Sequence, residues 1–330
     1  MYKMIDLFSG LGGFRIAFES NGVECIGSSE IDKGAIQTYF SNFNEIPLGD
    51  ITKIKSDELP DFDILSAGFP CQPFSIGGLR KGFEDTRGTL FFEVARIIKD
   101  KQPKAFILEN VAGIVSHDKG NTLNKIEEVL NGLGYNFKWM LMNSKDHGIP
   151  QNRNRWYCIG FKSGLDIGFD QKNSSITFEF PEKKDLDFHL RDIVKSNSED
   201  IYKISKIAKK NINVYKPSFI DSQRYDNNHI LIANDIRPSR CGFRCDGISP
   251  CLTAKMGTGG NNVPVVVDQN RKLSESECLA IMGFPTWYKI KKGAMSSYKQ
   301  IGNSVVVSIV TELAQEMVRV LKESKVPCER

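Results

Sequence analysis

The chain has 330 residues, a formal net charge of +4 from 44 Lys and Arg against 40 Asp and Glu, and a hydrophobic content of 40%. At roughly 150 residues per domain, this length predicts about two domains with a real core, which excludes disordered and collagen-like proteins. A charge of +4 permits a polyanionic partner without requiring one, because binding depends on where positive side chains cluster.

The amino terminus and the cysteine content bear on the cellular compartment. The first ten residues, MYKMIDLFSG, lack the apolar segment of a secretory signal, and the apolar runs are far shorter than the roughly 18 residues of a membrane helix. Eight cysteines are too few for a disulfide scaffold in a chain of this length. We therefore expect a cytoplasmic protein with free thiols and no membrane association.

Short apolar runs alternate with helical patterns in the first half of the chain. Strands are predicted at residues 3–8, 23–28, 62–67, 104–109, 136–142 and 156–161. Helices are predicted between them at residues 14–20, in a stretch ending near Asn42, and near residues 88–100 and 120–133. This alternation predicts an α/β fold with a mostly parallel sheet covered by helices on both faces, and the last two strands are predicted as its antiparallel edge.

The pattern weakens from residue 163 to about residue 272, where we predict a second, smaller domain. Ser274 followed by Glu277 is a capping-box pattern and predicts the start of a helix. The final stretch, residues 304–321, has an apolar face and is predicted to pack back onto the first sheet.

The turn FSGLGG, residues 8–13, lies between the first strand and the first helix. Its glycines allow close approach of a ligand, and Glu30, which follows the next strand 20 residues after Gly10, has the position of a ribose acceptor. The spacing differs from GxGxxG and favours another nucleoside cofactor, such as S-adenosylmethionine, over a dinucleotide. A purely structural tight turn fits the local sequence equally well, and Asp50 fits either an adenine contact or a helix cap.

Two further strand ends carry reactive groups. GFPCQPFS, residues 68–75, places Cys71 at the carboxyl end of a strand, which makes it the best candidate nucleophile, whereas Cys25, Cys158 and Cys278 are more simply interpreted as structural thiols. ENV, residues 109–111, places Glu109 at another strand end facing the same crevice, where a carboxyl group with a raised pKa donates a proton.

Five segments resemble, in order, the motifs of the DNA (cytosine-5) methyltransferases. They are FSGLGG, GFPCQPFS, ENV, QNRNR at residues 151–155 and GNSV at residues 302–305. FEDTRGTLFFEVARI, residues 83–97, is similar to the bacterial type II modification enzymes of that family. The resemblance covers residues 4–161 and about 271–321. It implies a Rossmann-like S-adenosylmethionine-dependent methyltransferase domain, residues 1–162 and 271–330, with a smaller target-recognition domain, residues 163–270, inserted.

The resemblance also implies the catalytic groups. Carbon 5 of cytosine is a poor nucleophile, so the Cys71 thiolate would first add to carbon 6. Glu109 would bind and protonate N3, while Arg155, together with Arg153, would hold the carbonyl oxygen and lower the pKa of the thiol.

For the cofactor, the matching positions surround the methionine part, the ribose and the adenine. They are Phe8, Gly10, Leu11, Gly12, Gly13, Glu30, Ile31, Asp50, Ile51, Pro70, Leu90, Asn303 and Val305. Two positions depart from the family pattern. Ile31 stands where a large aromatic residue often stacks on adenine, and Ala280 stands where relatives often carry arginine, which puts an ion pair from that site in doubt.

The implied substrate is a cytosine flipped out of double-stranded DNA, since none of the reacting atoms is accessible in a stacked duplex. A loop at about residues 72–89 would close over it. The candidate DNA contacts are Gln72, Ser75 and Arg87 near the vacated space, and Arg237, Arg240, Arg244, Thr258, Gly259 and Gly260 in the recognition region. A solvated basic face is the alternative interpretation of the three recognition-region arginines.

Together these features predict a monomeric, sequence-specific DNA cytosine-5 methyltransferase that protects host DNA beside a restriction endonuclease. The alternatives are a tRNA cytosine-5 methyltransferase, a nicotinamide dehydrogenase, which lacks a clear GxGxxG here, and a non-catalytic DNA-binding relative. Cys241, Cys245 and Cys251 have no convincing fourth ligand, so no metal is expected.

Overall fold

A six-stranded sheet with helices on both faces forms the larger part of the protein. The computed structural model describes residues 1–70, 90–170, 174–186, 188–196, 199–222, 225–258 and 262–324. The strands of this sheet are β1 (Tyr2–Leu7), β2 (Val23–Ser29), β3 (Ile64–Gly68), β4 (Ala105–Val111), β5 (Tyr135–Asn143) and β6 (Asn154–Lys162). The first helices are α1 (Gly13–Glu19), α2 (Lys33–Phe43), α3 (Leu90–Lys101) and α4 (Asn121–Gly132). These elements confirm the predicted alternation.

The strand order is β2-β1-β3-β4-β6-β5. Strands β1 to β4 are parallel, whereas β6 runs antiparallel to both of its neighbours. The predicted antiparallel edge is therefore confirmed. Because the carboxyl ends of β1 to β4 meet at one edge of the sheet, the loops that follow them lie close together, as in other open α/β sheets.

The rest of the described chain adds a two-stranded sheet, a four-stranded sheet and the carboxyl-terminal helices. The strands of the first are β7 (Ile167–Gly168) and β8 (Ile176–Thr177), and those of the second are β9 (Ile232–Arg237), β10 (Arg240–Arg244), β11 (Val265–Val266) and β12 (Arg271–Lys272). The helices of this part are α5 (Leu190–Ile193), α6 (Lys206–Ile220), α7 (Glu275–Ile281), α8 (Met295–Asn303) and α9 (Val307–Glu323). No helix among the described residues has the length and apolar character to cross a membrane.

Alternating side chains of the large sheet face two separate cores. Met4 of β1 belongs to the core that contains α1 and α9, whereas Ile5 belongs to the core that contains α3 and α4. The end of α9 is tied to the first strand, because the Tyr2 hydroxyl donates to the Leu321 carbonyl. The prediction that the carboxyl-terminal stretch packs onto the first sheet is confirmed.

A four-stranded antiparallel sheet, in the order β10-β9-β11-β12, forms the smaller unit. Helix α6 packs on it through a core that includes Ile212 and Phe219 of the helix and Ala233 of β9. The strand β12, Arg271–Lys272, is one edge of this sheet.

The capping box at the start of α7 is confirmed: the Ser274 side chain accepts from the Glu277 amide, and the Glu277 carboxylate accepts from the Ser274 amide. The same carboxylate makes a buried ion pair, since Nη2 of Arg271 lies 2.7 Å from its Oε1. Ala280, at the position where relatives often carry arginine, makes no ion pair. Arg271 provides the ion pair in this part of the molecule instead.

A strap of residues 249–253 joins the smaller unit to the large sheet. The Ser249 amide donates to the Pro150 carbonyl at 2.7 Å, and the Ser249 carbonyl accepts from the Asn152 amide at 2.9 Å. The strap then crosses α8 so closely that a Cβ atom on Gly302 would lie 2.1 Å from the Thr253 carbonyl carbon. Only glycine fits at this crossing.

We therefore expect Gly302→Ala to lower the free energy of unfolding by at least about 2 kcal/mol, because backbone cannot yield as a flexible side chain does. Thermal melting measures the change. Gly132→Ala is the matched control, since a Cβ at Gly132 at the end of α4 would meet nothing within 4 Å. Equal melting temperatures for the two variants would contradict the packing argument.

Candidate active site

The turn after β1 has an unusual backbone. Phe8, Gly10 and Gly12 adopt left-handed φ values of 57°, 52° and 73°. A bulky residue in this region is strained, and such strain concentrates at ligand sites. Gly13 has a different requirement, because a Cβ there would lie 2.7 Å from Cγ2 of Val305. The turn is thus shaped by close packing on one side and opens toward a cleft on the other.

This cleft, about 310 Å³ in volume, lies at the carboxyl edge of the sheet. It is lined by the predicted positions Phe8, Gly10, Glu30, Ile31, Asp50, Ile51, Pro70, Leu90, Glu109, Arg153, Arg155 and Asn303. Sites for small molecules in proteins have volumes of roughly 300–1,000 Å³. The sequence motifs therefore converge on one cavity of suitable size.

Four predicted cofactor positions pack near the cleft without lining it. Leu11 is fully buried, and Gly12 and Gly13 start α1 against Phe43 and Val305 respectively. Sequence reasoning did not single out Ser29, Gly49, Gly68, Phe69, Asn110, Val111 and Gly302, which also line the cleft. The sequence offered one indication of these residues: each lies within or beside a recognised motif or candidate residue.

Glu30 fixes the shape of the turn through three backbone hydrogen bonds. Its Oε2 accepts from the Gly10 amide at 2.9 Å, and its Oε1 accepts from the amides of Ile31 and Asp32, each at 2.8 Å. A carboxylate offers about four acceptor sites, so capacity remains for a ligand hydroxyl. Asp50 similarly accepts from the amide and hydroxyl of Thr52. None of the described helices begins directly after Asp50, so it caps a turn and not a helix, and it borders the cleft, where its contact to adenine stays a prediction.

We expect Glu30→Gln to weaken cofactor binding by about ten- to a hundredfold, because the amide nitrogen of glutamine would face a backbone donor. Calorimetric titration with S-adenosylmethionine measures this loss. Glu24→Gln, an exposed position on β2, the strand that Glu30 follows, is the matched control. Unchanged affinity in Glu30→Gln would exclude a role of this carboxylate in cofactor binding.

Glu109 and Arg155 form an ion pair in the wall of the cleft. Nε of Arg155 lies 3.0 Å from Oε1 of Glu109, and both side chains are nearly buried, with 13% and 10% exposed. Burial raises the pKa of Glu109 above its usual value, and the charges of Arg155 and Arg153 offset part of this effect. Glu109 thus holds a proton more readily than an ordinary carboxyl group does, and a cation lies within contact distance of it.

Arg153 lies deeper and holds the backbone. Its guanidinium donates to the carbonyls of Leu252, Gly302 and Ser304, at 2.5 Å, 3.3 Å and 2.6 Å. These carbonyls belong to the strap, to the last turn of α8 and to the segment that joins α8 to α9. With its terminal nitrogens committed in this way, Arg153 fits a positioning residue better than a direct contact to a substrate carbonyl.

Asn110 links the ends of β3 and β4. Its side-chain amide donates to the Phe69 carbonyl at 2.9 Å, and its Oδ1 accepts from the Val111 amide at 2.8 Å. Phe69 stands two positions before Cys71. Cys71, Gln72, Ser75, Arg87, Gly259 and Gly260 lie outside the described residues. Pro70, next to Cys71 in the sequence, lines the same cleft as Glu109.

The candidate DNA contacts that the structure describes in the recognition region lie at or beside the two ends of the β9–β10 hairpin. Nη2 of Arg237 donates to Oδ1 of Asn262 at 2.7 Å, and Asn262 in turn donates to the Thr258 hydroxyl. Arg240 lies across from Arg237, whereas Arg244 lies at the far end of β10 and pairs with Asp246. Among the described residues, no three potential metal ligands converge.

The family described as C-5 cytosine-specific DNA methylase matches residues 2–319. The chain belongs to this family. The type II methyltransferase M.HhaI of Haemophilus parahaemolyticus is 41% identical over 317 residues, which cover 94% of this chain and 93% of that protein. M.MspI of Moraxella sp is 39% identical over 328 residues, covering 97% and 71% respectively. The crystal structure of Spodoptera frugiperda DNMT2 has a TM-score of 0.69 at 19% identity and covers 98% of this chain and 100% of that one, which shows the shared fold.

Membership in the C-5 cytosine-specific DNA methylase family establishes the reaction class. The protein is a DNA cytosine-5 methyltransferase, and its methyl donor is S-adenosylmethionine. The predicted α/β methyltransferase fold, with a mostly parallel sheet and a smaller second sheet, is confirmed. The interpretation as a nicotinamide dehydrogenase is excluded.

Proposed function

We propose that the protein methylates one cytosine within a specific sequence of double-stranded DNA, with the residues of the cleft in the roles that their motifs imply. The observation that carries the proposal is the Glu109–Arg155 pair, which shares a single cavity with Glu30, Asp50 and Pro70. A proton donor, a cation and carboxylate acceptors thus line one cavity together with Pro70, the residue that precedes Cys71 in the sequence.

The donor set of the cleft fits S-adenosylmethionine. Glu30 and Asp50 offer carboxylate oxygens to ribose hydroxyls and the adenine amine, while Ile31, Ile51 and Leu90 offer apolar surface. Ile31 is 67% exposed, so it is accessible to the adenine ring, with aliphatic contact in place of aromatic stacking. Bound there, the cofactor supplies an electrophilic methyl group.

The protein's own groups activate the cytosine. The Cys71 thiolate forms a bond to carbon 6, and the displaced ring electrons make carbon 5 nucleophilic while Glu109 delivers its proton to N3. Arg155 holds the carbonyl oxygen. After methyl transfer, a base removes the proton of carbon 5, and the electrons of that bond expel the Cys71 thiolate from carbon 6. The aromatic ring is restored, N3 returns its proton to the Glu109 carboxylate, and the Cys71 thiolate is free for another cycle.

The surrounding roles extend the same proposal. Residues 163–270 form the recognition domain that contacts DNA, and the remainder forms the catalytic domain. By analogy with the type II relatives, the enzyme protects host DNA beside a cognate restriction endonuclease and acts as a monomer in the cytoplasm, where the genome is. Gln72, Ser75 and Arg87 contact the opened duplex, and Arg237, Arg240, Arg244, Thr258, Gly259 and Gly260 contact the target site.

Bisulfite sequencing tests the proposal. Plasmid DNA incubated with the protein and S-adenosylmethionine should show protected cytosines in one short sequence only, with none when the cofactor is omitted. Protection scattered over unrelated sequences would contradict sequence specificity. Methylation of tRNA in place of duplex DNA would overturn the assigned substrate.

A further inference from the structure

The hairpin of β9 and β10 places two arginines opposite each other. Arg237 ends β9 and Arg240 begins β10, and the two are paired across the turn. The Tyr215 hydroxyl of α6 supports this turn by donating to the Pro238 carbonyl at 2.7 Å. Directly opposed like charges destabilise a strand pair unless a third group compensates them.

Asp235 is that third group. Its Oδ2 accepts from Nε of Arg240 at 2.6 Å, and its Oδ1 lies 3.3 Å from Nε of Arg237. The hydrogen bond from Arg240 is the main reason why the pKa of Asp235 is lowered, so the carboxylate is ionised at neutral pH. One negative charge therefore lies between the two guanidinium groups.

The position of this carboxylate depends on a β-bulge. The pairing register shifts between Arg240 and Gly242, which leaves Asp235 and Ile236 opposite Cys241 alone. Asp235 has a φ of 48°, a left-handed conformation that aspartate and asparagine tolerate better than most residues. The bulge and the left-handed backbone thus place the Asp235 carboxylate beside Arg237 and Arg240, the two candidate DNA contacts.

The atoms that Asp235 engages are informative. Both contacts use Nε, whereas a bidentate contact to a guanine edge can be made by the two terminal nitrogens. An arginine that reads a base can therefore keep its bond to Asp235. An arginine that turns to a phosphate brings the phosphate toward the Asp235 carboxylate, and the two anions repel each other.

We propose that Asp235 is a specificity-determining residue, which orients Arg237 and Arg240 toward base edges and opposes their capture by the phosphates of non-cognate DNA. This inference rests on the proposed function, because it requires the recognition region to contact DNA. In this role the negative charge of Asp235 weakens complexes with non-cognate DNA, which the basic residues of a DNA-binding surface cannot do.

Asp235→Asn tests the proposal, because asparagine keeps the size of the side chain and accepts the left-handed backbone. Affinity is measured on two duplexes, one with the sequence found by bisulfite sequencing and one with that sequence scrambled. We expect binding to the scrambled duplex to tighten about three- to tenfold at low salt, with its logarithmic salt slope steeper by about 0.9, as expected for one added positive charge. Cognate binding should not tighten, so discrimination falls.

Two controls separate this effect from overall charge. Asp268→Asn removes the same charge from a residue that lies 3.7 Å from Lys216, away from the hairpin, and should change neither affinity by more than about twofold. In a background of Arg237→Gln and Arg240→Gln, Asp235→Asn should lose its effect. Equal tightening on both duplexes, or an effect that persists in this background, would overturn the proposal.

The unmodified enzyme distinguishes a failure of this inference from a failure of the proposed function. If the unmodified enzyme methylates duplex DNA at one sequence while Asp235→Asn distinguishes the cognate from the scrambled duplex equally well, only the role of Asp235 is wrong. If it methylates no duplex DNA, the proposed function itself is wrong.

Discussion

Replacement of Cys71 with serine is expected to reduce methyl transfer by at least about four orders of magnitude. The hydroxyl group of serine ionises far less readily than a thiol, and Arg155 and its neighbours cannot make up the difference. Without addition to carbon 6, carbon 5 never becomes nucleophilic. Transfer of a labelled methyl group to duplex DNA measures the loss.

A mechanism-based inhibitor tests directly whether Cys71 is the nucleophile. In DNA with 5-fluorocytosine at the target position, fluorine blocks the last proton removal, so the enzyme should remain covalently attached. Cys71→Ser should form no such adduct. Cys241→Ser, which alters a free thiol on β10, should still form it. An adduct with the Cys71 variant would show that the nucleophile has been misassigned.

Replacement of Glu109 with glutamine is expected to lower the rate of methylation by about 10²–10⁴-fold, the usual contribution of a general acid. Glutamine can still accept a hydrogen bond from Nε of Arg155, so the wall of the cleft should persist. It has no proton to deliver to N3. Single-turnover methylation at saturating cofactor isolates this step, and Glu24→Gln serves as the control. A rate within threefold of that control would remove Glu109 from the mechanism.

The same variant should alter how stability depends on pH. The pKa of Glu109 is raised above the ordinary value of 4.5 in the folded protein, so the folded state holds its proton more tightly than the unfolded state. The stabilisation by protonated Glu109 is complete below pH 4.5 and is lost as the pH rises through the raised value. Relative to Glu109→Gln, the unmodified protein should therefore lose stability over that range, as thermal melting at a series of pH values would show. A constant difference across the series would contradict the raised pKa.

Local patterns predicted the large sheet well because its strands are continuous apolar runs and its turns carry glycine. They missed α6, where lysines, a proline at position 217 and only four buried side chains obscure the helical period. They also missed α8, because its buried face includes Ser297, Gln300 and Gly302, which carry little hydrophobic signal.

Arg153 shows a different limit. Its motif identified it as important, but its partners are carbonyls of residues 252, 302 and 304, about 100 to 150 positions further along the chain. A backbone carbonyl leaves no trace in the sequence. Motifs therefore indicate which side chains converge on a site, whereas only the fold shows that the terminal nitrogens of Arg153 hold backbone carbonyls.

The contribution of α8 to the cleft has a consequence for biosynthesis. Gly302 and Asn303 complete a cavity whose other walls come from residues 8–155, and Tyr2 at the start of the sheet is tied to Leu321. The ribosome must therefore synthesise the recognition region and α8 before the FSGLGG turn, residues 8–13, lies in a complete cavity. The nascent chain carries its nucleophile long before it has a complete cofactor site, so methylation begins only after residue 303 has been added and folded.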